Sequence, residues 1–411
     1  MRRKFAVESQ RDFFGNIVTQ PSISLLIIEI LHMTGELPYR SLKFVGKTAN
    51  SVQKAVQRLT NEGYIKIEMV NRSRVILLDR LAYDEYGENL FIGAENMYQQ
   101  VVKETYHSIS TNITTRSKRD SATRRERNMR TAEALVFMRR ASVAVLPNEK
   151  PFLEENALKG TEICFYTARE VKRYLLANDV RGINGRAIGY FINKDSYYSV
   201  YFQDKKPQTI TQSIEYHTRA AIEEELNRCS DYFTRTGKRS LIEQAIILTS
   251  NYELLNAFIG NRKSAKYDER KLFALDSTHR KNHLIPYEIY GCQILRMIHM
   301  SEEILRLLPF QKEEVLVGTT DVDCDGIRSD GTYVCVFLDC ELRKLQNFII
   351  AIEFNQRSKE NKTFEIICYD FQEEYIKKAI KDKTVKIKTL SVNDVIGEFL
   401  ERWESCNNEE S

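Results

Sequence analysis

Carboxylates crowd into one short run, Asp321-Val-Asp-Cys-Asp-Gly326, with acidic residues at alternate places and glycine sixth. That is how a calcium-binding loop opens, but the rest of the loop is missing: Thr332 stands where a bidentate glutamate is needed and Arg328 at the eighth place. Val315-Leu-Val before the run also reads as a strand, not an entering helix. A second chemistry open to these residues is Mg²⁺-dependent phosphodiester hydrolysis. It needs an acidic residue at one strand end, then Glu-x-Lys or Asp-x-Lys on the next strand, so that two carboxylates hold the metal and the lysine positions water. Asp325, or Asp321, can fill the first role. The strand Val334 to Asp339 then leads into Asp339-Cys-Glu341-Leu-Arg343-Lys344, which gives Glu-x-Arg with lysine one place late. Asp325, Asp339 and Glu341 are therefore the candidate catalytic residues of an endonuclease, and Mg²⁺ its cofactor. The plainer reading is that acidic residues collect at the C-terminal edges of parallel strands because those edges are wet. No other metal or cofactor is implied.

Tyr197, Tyr198 and Tyr201, with Arg186 upstream, could stack on bases or supply a nucleophile. The six histidines (32, 107, 217, 279, 283 and 299) never form the His-hydrophobe-His or His-x-x-Arg patterns that tyrosine nucleases use, and a tyrosine-rich strand is first of all a good strand. His279 and His283 lie four apart without the glutamate that zinc proteases place beside the first histidine. Glycine-rich phosphate loops are absent, as is Gly-x-Ser-x-Gly. The eight cysteines include no Cys-x-x-Cys pair, which points to a reducing cytoplasm rather than disulfides or structural zinc.

A clearer signal lies near the N-terminus. In the run 49–62, Val52, Val56 and Leu59 form an inward stripe, leaving Thr48, Asn50, Ser51, Gln53, Lys54, Gln57 and Arg58 on the opposite face. Amides and hydroxyls at the start of such a helix can reach base edges, and Lys54 and Arg58 bases or phosphates. Arg72 and Arg74 sit at the tip of a following hairpin. The run 116–130 adds Arg116, Lys118, Arg119, Arg124, Arg125, Arg127 and Arg130 against two acidic residues, as a phosphate-tracking arm or as a solvated linker.

The elements that must position these residues follow from periodicity and punctuation. Pro21 and Ser22 start a helix whose stripe is Ile23, Leu26, Ile27, Ile30 and Leu31, and Gly35 stops it. A short helix over 39–45 and a tight turn at Gly46 precede the helix 49–62, which Gly63 caps. Two strands, 64–69 and 75–78, follow with a turn at Asn71-Arg72-Ser73. From 131 onward strands and helices alternate, implying an α/β part with a mixed, mostly parallel sheet and no internal repeat. The expected domains are 1–86, a helical basic linker 87–130, and 131–411, which divides into 131–310 and 311–411.

Length and composition agree with a multidomain globular chain: 411 residues, 42% hydrophobic, 29% charged. No apolar run approaches the ~20 residues that span a bilayer, so no membrane partner is expected. The net charge of +4 is unevenly placed, since residues 1–130 hold 21 Lys/Arg against 14 Asp/Glu and the remainder 40 against 43. A basic end on a near-neutral body suits a protein that meets a polyanion.

Residues 21–80, with Val52-x-x-x-Val56-x-x-Leu59-x-x-x-Gly63-Tyr64-Ile65, resemble the winged helix-turn-helix family. Taken with Thr131-Ala-Glu-Ala-Leu and, more loosely, 333–354, the layout resembles the replication-relaxation family of Gram-positive mobile elements. That resemblance implies a degenerate nuclease-like fold after the winged helix and a role in plasmid replication or conjugative transfer. The resulting expectation is a cytoplasmic, sequence-specific double-stranded-DNA-binding protein, an accessory factor or regulator, working as a homodimer and meeting replication or relaxosome proteins. Its alternatives are the Mg²⁺-dependent nuclease or nickase and a scaffold that uses the winged helix to hold a protein partner.

Overall fold

The computed structural model describes residues 7–11, 17–46, 48–70, 72–79, 122–147, 149–151, 153, 163–177, 185–193, 196–204, 212–233, 242–260, 279–310, 322–358, 361–380 and 384–409. The chain is a mixed α and β protein with several sheets. It divides into two compact units, Met1–Arg181 with Ile188–Lys194 and Cys229–Lys238, and Gly182–Ala187 with Asp195–Arg228 and Arg239–Ser411. Among the described residues no helix is long and apolar enough to cross a membrane.

In the first unit, β1 (Val7–Arg11) pairs antiparallel with β2 (Ile17–Pro21). Helix α1 (Ile23–Thr34) starts at Ser22, whose side chain accepts from Leu25 N, and ends at Gly35, whose φ of 79° is the left-handed turn that glycine allows. The expected apolar stripe is present, but Ile28, Glu29 and His32 on the other face are buried as well. The strand β3 (Glu36–Pro38) and a 3₁₀ turn (Tyr39–Phe44) lead to α2 (Ala49–Asn61). The hairpin of β4 (Ile65–Val70) and β5 (Ser73–Leu78) completes an antiparallel sheet in the order β3-β5-β4.

What covers the far side of α1 is α3 (Ala122–Arg140). It begins well before the expected 131, so the boundary expected at 130 falls within one unbroken helix. Its arginines explain why. Arg125 Nε meets Glu36 Oε1 at 2.7 Å, while Arg40 Nε and Arg130 Nη1 meet the two oxygens of Glu133 at 2.6 and 2.9 Å. Glu36 and Glu133 are both buried, and buried carboxylates persist only when paired. Phe137 packs edge-on against Phe44, and Met129 lies on Val70, Val75 and Leu77. The unit continues with β6 (Cys164–Thr167), α4 (Ala168–Ala177) and β7 (Gly189–Ile192), β7 antiparallel to β6. Thr167 and Glu170 cap α4 reciprocally, Thr167 N donating to Glu170 Oε2 and Glu170 N to Thr167 Oγ1.

The second unit holds two runs of the same order. The first is β8 (Ser196–Phe202), α5 (Gln212–Phe233), β9 (Ile242–Thr249), α6 (Leu254–Gly260), β10 (Asn282–Pro286) and α7 (Ile289–Leu307), its strands parallel in chain order. After the two-residue β11 (Gly326–Ile327), the second is β12 (Tyr333–Val336), α8 (Leu342–Ser358), β13 (Phe364–Tyr369), α9 (Glu373–Ala379), β14 (Lys386–Leu390) and α10 (Val392–Glu409), again parallel in order. The expectation of no internal repeat is corrected at the level of topology: each run is β-α-β-α-β-α with a short second helix. Corresponding helices pack on each other, α6 on α9 and α7 on α10. Tyr252, three residues past β9, accepts a 2.9 Å hydrogen bond from Gln372, three residues past β13.

Candidate nucleic-acid interface and a buried carboxylate–lysine cluster

Helix α2 is held from below and bare above. Val52, Val56 and Leu59 are buried, whereas Thr48, Asn50, Gln53, Lys54, Gln57 and Arg58 are exposed and Ser51 is half-buried. Thr48 is the N-cap, its Oγ1 accepting from Ser51 N at 3.2 Å, and Ser51 Oγ returns a 2.8 Å bond to Thr48 O. Two of the polar residues at this end are thus spent on the helix itself. Arg58 Nη2 donates to Ser24 Oγ at 2.6 Å, which ties α2 to α1. Asn50, Gln53, Lys54 and Gln57 make no such tether among the described residues and stand outward.

The hairpin tip lies outside helical structure. Arg72 has a φ of 66°, and Arg72 and Arg74 are exposed. Arg74 lies 5.8 Å over the Tyr39 ring, a cation–π contact that steadies the guanidinium without removing its charge. Of the basic run, Arg116, Lys118 and Arg119 lie outside the described residues. Arg124 and Arg127 are on α3 and exposed, whereas Arg125 and Arg130 neutralise the buried Glu36 and Glu133. Those two hold the fold together and are not open to phosphate.

The structure also gathers the residues considered above for metal chemistry, together with one that the linear pattern placed out of register. Lys344, on the first turn of α8, brings Nζ to 2.7 Å from Asp339 Oδ2 and 3.4 Å from Asp325 Oδ2. Asp325 Oδ2 also accepts from Val336 N at 2.7 Å, and Asp339 Oδ1 from Glu341 N at 3.1 Å. Burial raises the Asp325 pKa above its ordinary value, with Lys344 opposing and Asp339 adding to the rise. Burial also works against ionised Asp339, yet Lys344 and His283 together hold it below the ordinary value. Lys344 is held well above its own by the two carboxylates, despite its burial. The cluster is therefore an ammonium clamped between aspartates.

Glu341 faces elsewhere. Its Oε1 accepts from Asn282 N and Arg343 N at 3.1 and 3.0 Å, and its Oε2 from Lys344 N. It caps α8 and joins it to β10. Asp339 and Glu341 accept hydrogen bonds on both oxygens and Asp325 on one, and among the described residues no group of three His, Cys, Asp or Glu is placed to hold a metal ion. Asp321 lies outside the described residues.

Tyr201 belongs to a chain that its sequence neighbours do not reveal. Its hydroxyl donates to Glu215 Oε2 at 3.1 Å and faces His279 Nε2 at 2.9 Å, while His279 Nδ1 meets Glu243 Oε1. All four residues are buried, with Tyr201 only 1% exposed. A satisfied hydroxyl so enclosed fixes β8, β9 and α5 together and cannot reach a phosphodiester. Comparison with protein families, with curated proteins and with solved structures finds no match to this chain.

Proposed function

We propose that this protein binds double-stranded DNA, with residues 22–79 forming a winged helix in which α2 enters the major groove and the β4–β5 hairpin is the wing. The observation that carries this reading is the division of α2. One face is buried on the unit's core, and the other offers two glutamines, an asparagine and a lysine within a single helix. Glutamine and asparagine amides match adenine bidentately, and Lys54 suits guanine or phosphate. Arg72 and Arg74 extend the contact to the flanking backbone or minor groove. The positive balance of residues 1–130 supplies the long-range attraction.

Within this reading the protein is an accessory factor or regulator of a mobile element's replication or transfer, acting on a specific site. The second unit supplies a rigid body for partner contacts. Selection of bound duplexes from a random pool tests the specific claim. An enriched motif whose positions respond to Gln53→Ala and Gln57→Ala supports it, and a pool that stays random refutes sequence reading by α2. The Lys344 clamp carries the nuclease alternative less far, since Glu341, its third candidate, is turned to the α8 and β10 backbone instead of toward Lys344 Nζ.

A further inference from the structure

Among the described residues β4 pairs with β5 alone, and no described strand pairs with its other edge. Which groups point to that edge follows from the register. Asp79 N donates to Tyr64 O at 2.8 Å, and the pairing continues through Lys66 with Leu77, Glu68 with Val75 and Val70 with Ser73. Hydrogen-bonded pairs alternate along an antiparallel ladder, so residues 64, 66, 68 and 70 bond inward. Ile65, Ile67 and Met69 therefore turn their N–H and C=O groups outward. On that set's side-chain face Ile67 is 42% and Met69 66% exposed, a large apolar exposure for an open edge. Lys66 and Glu68 share the opposite face, with Lys66 Nζ 2.7 Å from Glu68 Oε1.

These features are self-complementary in one register only. An antiparallel second copy centred on Ile67 sets Ile67 against Ile67 and Ile65 against Met69 as hydrogen-bonded pairs. It sets Lys66 of each copy opposite Glu68 of the other in the closer, non-hydrogen-bonded positions, where side chains interact best. Centring on 66 or on 68 would instead oppose lysine to lysine or glutamate to glutamate, and would lose the outward-facing pairs at the centre. We propose that the free edge of β4 is a homodimer interface, a second copy adding across it through the two-fold pairing of 65–69.

The surface is a single short strand, so the dimer is a weak one in the absence of other ligands. Because the two-fold axis crosses the sheet, both copies of α2 lie on the same side of the continuous sheet. The inference does not depend on DNA binding, since it is read from the mass of the free protein.

Sedimentation equilibrium of the full chain tests it. The wild type is expected to dimerise. Lys66→Glu and Glu68→Lys should each weaken the dimer roughly tenfold or more, because each opposes like charges twice. An equimolar mixture of the two variants, and the double variant Lys66→Glu/Glu68→Lys, should both recover it, which also shows that the single variants fold. A wild type that stays monomeric at its highest soluble concentration overturns the proposal. So does a dimer that both single variants leave unchanged, or a mixture that fails to recover.

Discussion

Glu29 and His32 lie one turn apart in α1 and respond to pH in opposite directions. Burial raises the Glu29 carboxyl from 4.5 to about 8, with Glu149 adding to the rise and Arg139 opposing it, and burial lowers His32 from 6.5 to about 4. Folded Glu29 therefore holds a proton that the unfolded chain releases above 4.5, so stability falls as pH rises from 4.5 through 8. His32 costs stability as pH falls from 6.5 through 4, because only the unfolded chain takes the proton readily. Between pH 4.5 and 6.5 the two effects oppose each other; above 6.5 Glu29 acts alone. The first unit should lose about 2 kcal/mol between pH 6.5 and 8, and Glu29→Gln should abolish that loss. Amide exchange of α1 against pH in both proteins measures it, and parallel curves would show that Glu29 does not carry the dependence. Lys344→Met tests the other buried cluster. It leaves Asp325 and Asp339 without their cation and should cost about 3–5 kcal/mol. Trp403, the single tryptophan, lies in the second unit and reports the denaturant midpoint; a midpoint equal to wild type would contradict the clamp.

At the scale of elements, the turn before α2 is tightly built. A Cβ on Gly46 would meet Val52 Cγ2 at 2.5 Å and Ile23 Cδ1 at 3.0 Å, so Gly46→Ala must displace these side chains of α2 and α1. It should lower the first unit's stability by ~1–3 kcal/mol and weaken DNA binding in parallel. A circular-dichroism melt paired with a binding titration checks both, and unaltered values in the two would show that the turn adapts. The elements around this turn are legible in the sequence because several local signals agree: the 3.6-residue stripe of Val52, Val56 and Leu59, the turn glycine Gly46, and Gly63 with its φ of 78°; that Thr48 caps α2 is seen only in the structure. Other elements carry no such signal. Strand β10 reads Asn-His-Leu-Ile-Pro, and its two polar residues are buried, the His283 ring bonded to Gln244 and the Asp339 carbonyl and the Asn282 backbone N–H to Glu341. Helix α7 reads as mixed because many of its apolar positions are buried around the helix, which blurs a one-sided pattern. The start of α3 is hidden by arginines that look solvated in sequence but pair with Glu36 and Glu133. Lys344 joins its aspartates through a strand end and a helical turn, a proximity that a fixed spacing along one strand does not encode.

For the whole molecule, the charge division remains the feature that most constrains function. A chain with 21 Lys/Arg against 14 Asp/Glu in residues 1–130 has its attraction for polyanions concentrated there, and under the proposed function α2 is the element that uses it. The topological likeness of the two runs in the second unit is invisible in sequence because the helices differ in length and no residue pattern repeats. Packing of corresponding helices on each other shows it only in three dimensions. Under the proposed function α2 and its hairpin form one DNA-reading surface. Fluorescence anisotropy of the full chain with a random-sequence duplex, titrated over increasing salt, tests it most directly. Binding should weaken linearly on a logarithmic scale as salt rises. Lys54→Ala combined with Arg72→Ala and Arg74→Ala should reduce that slope by roughly 1 for each phosphate left without its cation. No binding at low salt, or the same affinity and slope in the triple variant, would contradict the account.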